Sequence, residues 1–187
     1  MSSTLLMDAG LYGLLKKCDE DLAATMKGTR CRHCGGALHS ARYRRKPRAV
    51  PDEAEREVHW RMSFCCAADL CRRRATPPSL RFLGRRVYVS TAVVLISAMR
   101  CGATPTRIQR LRELVGVSRR TVLRWQRWWL HTLPHTPFWR GASAVLHEPV
   151  DTADLPQSLL DRFEGDPPQR LQALLRFIAP LTGHTGV

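Results

Sequence analysis

"CRHCGG", residues 31–36, places two cysteines three positions apart with two glycines behind them. Thiolates at that spacing can reach one ion from a single tight turn, and glycine lets the backbone double back. A second cysteine group follows in "FCCAADLC", residues 64–71. Cys71 supplies one ligand. The other is Cys66, giving C-x4-C, or Cys65, giving C-x5-C; the shorter spacing favours Cys66. His33, His39 and His59 are substitutes for the fourth ligand.

The chain between the two groups reads as a hairpin. In "VHWRMSFC", residues 58–65, Val58, Trp60, Met62 and Phe64 alternate with polar residues, the pattern of a half-buried strand. "ALHSARYRRK", residues 37–46, is its partner strand, and "PRAVPDEAEREV", residues 47–58, with two prolines and a charge cluster, is the loop. Such a hairpin would gather Cys31, Cys34, Cys66 and Cys71 into a zinc ribbon, a closed structural site with no open position for catalysis. In so small a module zinc would supply most of the folding free energy, ~10–16 kcal/mol in zinc-finger peptides. The rival reading, metal-free buried thiols, is disfavoured by the spacing. The remaining cysteines, Cys18 and Cys101, read as core residues.

Outward from the cysteine module the period changes from two to helical. Residues 3–27 form a helix whose apolar positions are Leu5, Leu6, Leu11, Leu14, Leu15, Leu22 and Met26. "TPPS", residues 76–79, breaks the chain. "RRVYVSTAVVLISAM", residues 85–99, is apolar on most sides and suits a helix sandwiched between neighbours.

Then comes "TPTRIQRLRELVGVSRRTVLRWQRWW", residues 104–129. Thr104 and Pro105 suit a helix start, Gly116 a tight turn, and Ser118 the N-cap of a second helix. Leu111, Val115, Val117, Val122 and Trp125 have the spacing of two helices packed across a helix-turn-helix turn. On a helical wheel Val122, Trp125 and Trp129 share one arc, with Trp128 beside it, and Arg120, Arg124 and Arg127 lie opposite. The tryptophans therefore read as core, not as base-stacking platforms. Ser118, Arg119, Arg120, Thr121, Leu123 and Arg124 occupy the part of the second helix that meets base edges in a major groove. "LPHTP" closes the unit, and two short helices are expected in the tail, near residues 156–163 and 168–178.

The charge agrees with this reading. The 187 residues carry a net +14, yet residues 1–28 have a net charge of −1 and residues 141–187 of −3. The whole excess lies between residues 29 and 140, which favours a polyanionic partner, duplex DNA first and RNA second. Arg72, Arg73 and Arg74, then Arg81, Arg85 and Arg86, flank the cysteine module and suit phosphate contacts. The most apolar run, residues 87–99, is too short for the roughly 20 residues a membrane span needs, and no secretory signal is visible. A soluble, cytoplasmic, nucleoid-associated protein without a membrane role is expected. No nucleophile motif, phosphate loop or catalytic-metal spacing occurs, so no enzymatic activity is expected.

In order, "CRHCGG", a strand, "FCCAADLCRRR" and "GVSRRTVLRWQRWW" resemble the N-terminal DNA-binding half of bacterial insertion-element transposases, which joins a zinc ribbon to a helix-turn-helix. The resemblance covers residues 31–131 and implies recognition of duplex DNA. One departure is Arg112, where that pattern has a small residue. A second is the tail: the 56 residues after His131 are too few for the family's ribonuclease-H-like catalytic domain. The expected fold is α+β: an N-terminal helix (1–28), a zinc ribbon (29–76), a three-helix unit (77–135) and an acidic helical tail (136–187). The tail acids Glu148, Asp151, Asp154, Asp161, Glu164 and Asp166 read as solvated surface, with a protein partner as a further role. The implied function is a mobile-element accessory factor or repressor; the rivals are a ribonucleoprotein subunit and a transposase or nuclease component with an unseen active site.

Overall fold

Asp8 opens the first helix by accepting a hydrogen bond from the Leu11 amide at 3.1 Å, leaving α1 to run over Ala9–Gly28. The computed structural model describes residues 5, 8–45, 48, 59–83, 89–98, 104, 106, 109, 112–113, 116–146 and 148–185. The buried stripe of α1 is Leu11, Tyr12, Leu15, Cys18, Asp19 and Ala23. The expected leucine stripe is thus rotated: Leu14 is 44% exposed, and Tyr12 and Asp19 face inward because each finds a buried hydrogen-bond partner.

β1 (Leu38–Arg44) and β2 (Trp60–Cys66) form the expected antiparallel hairpin, from Leu38 opposite Cys66 to Arg44 opposite Trp60. β3 (Arg74–Thr76) pairs with β2, and β4 (His184–Thr185) pairs with β3, giving the sheet order β1-β2-β3-β4. The half-buried alternation expected for β2 fails at its first residues. Trp60 is exposed while Arg61 and Ser63 are buried, because residues 77–82 and Thr182 cover the second face of the strand. Val58 lies outside the described residues.

α2 (Ser90–Ser97) is buried at all eight positions, as its sequence predicts. It contacts α3 (Arg119–Arg127) and the last long helix, and Thr91 meets the Tyr12 hydroxyl of α1 at 2.9 Å. After α3 the chain makes a π turn at Trp128–Thr132 and a 3-10 turn at Leu133–His135. α4 (Pro137–Ser143) follows, its Trp139 amide donating to the Thr136 hydroxyl at 3.1 Å. α5 (Gln157–Leu160) and α6 (Pro167–Ile178) complete the helices, α6 opening on a reciprocal capping box between Asp166 and Gln169.

Residues 136–187 are not the appendage their acidity implies. Leu155, Leu159, Leu171, Leu174, Leu175 and Ile178 are buried in one core with Leu15, Val93, Val94, Trp125 and Trp129. Their acids stay on the outer side: Glu148, Asp151, Asp161, Glu164 and Asp166 are exposed and Asp154 is half-buried.

A buried polar seam joins this helical core to the sheet. Asp19 Oδ1 accepts from the Leu80 amide at 2.6 Å. Its Oδ2 accepts from the Ser79 hydroxyl at 2.6 Å and from Arg81 Nε at 2.9 Å. Arg81 Nη2 reaches the Trp60 carbonyl at 3.0 Å. Arg61 Nη2 donates to the carbonyls of Pro77 at 3.0 Å and Thr182 at 2.8 Å. Arg81, expected among the phosphate-binding arginines, is 4% exposed and belongs to this seam.

Removing one member of a buried ion pair leaves the other charge uncompensated, at a cost of about 3–5 kcal/mol. Asp19→Ala should therefore lower stability in urea unfolding by that amount. Lys16→Ala, which breaks the exposed Lys16–Glu20 pair at 3.9 Å, should change it by less than about 0.5 kcal/mol.

Burial pushes the Tyr12 phenol up to about 12, against a weaker opposing effect of its bond to Thr91. A raised pKa stabilises the neutral form, so this contribution is complete below the unfolded value of about 10 and fades as pH rises toward 12. Tyr12→Phe should flatten the loss of stability between about pH 10 and pH 12 in pH-resolved thermal melts.

Candidate metal centre and nucleic-acid face

The hairpin register places Leu38 opposite Cys66, and that pairing brings the two cysteine groups together. The Sγ atoms of Cys31, Cys34, Cys66 and Cys71 all lie within 4.8 Å of one another. Cys31 and Cys71 are 3.8 Å apart, and Cys34 and Cys66 are 3.3 Å apart. The first turn is closed by Cys31 N to Gly36 O at 2.9 Å and Gly35 N to Cys31 O at 2.8 Å. The second is closed by Cys71 N to Ala68 O at 2.9 Å, and Ala67 N to Ala37 O, also 2.9 Å, ties the turns together. A Cβ on Gly36 would stand 3.1 Å from Cys66 Sγ and 3.3 Å from Cys34 Sγ, tight enough to press on two of the four sulfurs.

Cys65 lies on the other face of β2, its sulfur 3.4 Å from the Arg72 carbonyl, so the gathered set contains Cys66 and not Cys65. The histidines are elsewhere too. His59 Nδ1 is 3.0 Å from the Arg45 carbonyl, His33 meets the Arg73 guanidinium, and His39 is exposed on β1.

The electrostatics at Cys31, Cys66 and Cys71 pull in opposite directions. Amides of His33 and Cys34 aimed at its sulfur lower the Cys31 pKa to about 6. At Cys66 the Ala68 amide also pulls down, but burial and the neighbouring thiols outweigh it and push the value up to about 12. Cys71 is raised in the same way against the pull of the Arg73 amide. A thiolate forms readily at Cys31 and is opposed at Cys66 and Cys71, a conflict that a bound cation would remove. Four sulfur donors suit a borderline-soft ion in tetrahedral coordination. Among the described residues the buried cluster at the hairpin is Ala23 of α1, Cys31, Leu38, Phe64 and Cys66, with Met26, Met62, Ala68 and Cys71 packed against it, a small core that a bound metal would staple.

The second surface is α3. Gly116 takes φ 65°, a conformation glycine adopts without steric cost, and its amide closes the preceding turn on the Arg112 carbonyl at 3.0 Å. Ser118 Oγ caps α3 by accepting from the Thr121 amide at 3.3 Å. Val117, Val122, Trp125 and Trp129 are buried, and Arg119, Arg120, Leu123, Arg124 and Arg127 are exposed. Thr121, expected on the binding face, is buried instead, its hydroxyl 3.1 Å from Ser118 Oγ. Leu111 and Val115 lie outside the described residues, as does most of the expected first helix. Arg112, the departure from the resembled pattern, is helical and exposed.

Arg72, Arg73 and Arg74 are exposed beside the cysteines, Arg72 within 4.0 Å of Asp69. Arg85, Arg86 and Cys101 lie outside the described residues, while Cys18 is buried as expected. Sequence reasoning missed Arg42, whose guanidinium lies over the Trp60 ring at 4.9 Å. The register, which sets Arg44 opposite Trp60 and Arg42 two residues away on the same face, carries that signal.

Comparisons with protein-family models, with curated proteins and with solved structures give no match. Among the described residues no helix is long and apolar enough to cross a membrane.

Because the gathered set contains Cys66, Cys66→Ser should abolish stoichiometric metal in the purified protein, measured by elemental analysis, and Cys65→Ser should retain it. Gly36→Ala should weaken metal retention against a chelator without removing any ligand.

Proposed function

We propose that this chain is a zinc-stapled DNA-binding protein in which α3 reads duplex sequence and the arginines beside the cysteines grip phosphate. The observation that carries the reading is the division of α3: Trp125 and Trp129 are buried, and Arg119, Arg120, Arg124 and Arg127 project from its exposed side. An N-capped helix following a tight glycine turn, with arginines on its free face, suits insertion in a major groove, and arginine fits the paired acceptors of guanine. The confinement of positive charge to residues 29–140 supports the same partner. The likeness of residues 31–131 to insertion-element transposases favours a mobile-element accessory factor or repressor as its setting.

Selection from a random duplex library tests this directly. A defined motif should emerge, and Arg120→Ala or Arg124→Ala should cost about 1–3 kcal/mol on that motif. With six to ten phosphate contacts, affinity should fall ~10³–10⁵-fold between 50 and 200 mM salt. Equal competition by structured RNA would move the reading to a ribonucleoprotein subunit, and a flat salt response would refute both.

A further inference from the structure

Beside the first cysteine turn a shallow cleft, open to solvent, lies between the end of α1, the turn and β3. Arg30, Arg32, His33, Arg73 and Arg74 line it with Thr29, and among the described residues its lining holds no carboxylate. Four arginines on the lining of one concavity, beside Met26, Leu38 and Ala75, bring enough positive charge to suit an anion with several oxygens. Arg73 Nη1 lies 3.3 Å from Nδ1 and 3.4 Å from Nε2 of His33, which fixes one guanidinium at the rim.

The backbone supplies an independent argument. Among the described non-glycine residues only Arg30, at φ 62°, and Arg72, at φ 44°, have positive φ. Both are arginines adjoining cysteines of the gathered set, Cys31 and Cys71. Arg30 follows the Thr29 C-cap of α1, where glycine is the usual left-handed residue and a bulky side chain is disfavoured. Of the two, Arg30 lies on the lining of the cleft with Arg32, Arg73 and Arg74.

We infer that this cleft is a phosphate-binding site, occupied by one backbone phosphate of the nucleic acid, with Arg30, Arg32, Arg73 and Arg74 as its donors. The occupant's identity rests on the nucleic-acid reading above; the oxyanion chemistry does not. The site anchors the strand sequence-independently, and a metal held by the four cysteines would tie the turn to Cys71, just before β3.

Arg30→Gly makes the test sharp, because glycine relieves the strained φ while removing one cation. With metal-loaded full-length protein and a random-sequence duplex, the variant should keep or raise the melting temperature. Its affinity should fall several-fold, and the slope of log K against log salt should shrink by about one. Arg73→Ala should do the same. If both variants bind with unchanged affinity and slope while Arg124→Ala weakens binding, the cleft holds no phosphate and the nucleic-acid reading survives without it. If the wild-type protein binds no nucleic acid, that reading falls, and pyrophosphate followed by ³¹P line broadening tests the cleft alone. Broadening lost in Arg30→Gly keeps it as an oxyanion site; no broadening with wild-type protein overturns it.

Discussion

A single buried carboxylate decides how the two halves of this molecule meet. Asp19 projects from a helix and receives hydrogen bonds from the Leu80 amide, the Ser79 hydroxyl and Arg81. With Arg81 on the Trp60 carbonyl and Arg61 on the Thr182 carbonyl, three polar side chains bind α1, the sheet and the returning C-terminal segment into one unit. A charge this deep is tolerated only when each oxygen is satisfied, and both Asp19 oxygens are. Strand β4 adds the last covering at β3. The metal-centre cysteines and the helix carrying the exposed arginines therefore sit on a shared scaffold.

The sheet and the helical core solve the burial problem differently. The helical core has enough apolar surface to close on itself: Trp125, Trp129, Tyr12 and the leucines of α6 surround α2 on all sides. The sheet has little, and its outer strand β1 is exposed from His39 to Arg44. There the gathered thiols take over, and a cation bound between them would relieve the thiolate repulsion and tie the ends of the hairpin. The freedom this gives the surface is visible in Arg42 over Trp60, a cation–π pair that faces solvent instead of a core.

Much of this is legible in the chain itself. Cysteine spacing predicts Cys31, Cys34 and Cys71 and favours Cys66 over Cys65 for its shorter spacing, and the hairpin register settles that choice for Cys66. The wheel predicts which face of α3 is buried, because tryptophan and arginine are segregated there. Long-range covering is not legible. The alternation in β2 puts Trp60 inside and Arg61 outside, and nothing local reveals that Thr182, 121 positions away, accepts from Arg61. Arg81 reads as one more surface arginine until Asp19, 62 positions earlier, is seen to bind it. The acidic tail misleads for a related reason: charge describes its outer side, and the leucine spacing of α6 describes the side that holds it down.

The central claim, that the arginine face of α3 contacts DNA while the buried arginines serve the fold, is tested most directly by side-chain Nε–H nuclear magnetic resonance during titration with a selected duplex. The Nε resonances of Arg119, Arg120 and Arg124 should shift or broaden at stoichiometric duplex, and that of Arg81, held on Asp19, should stay in place. Resonances of α3 arginines that remain unmoved at saturating duplex would contradict it.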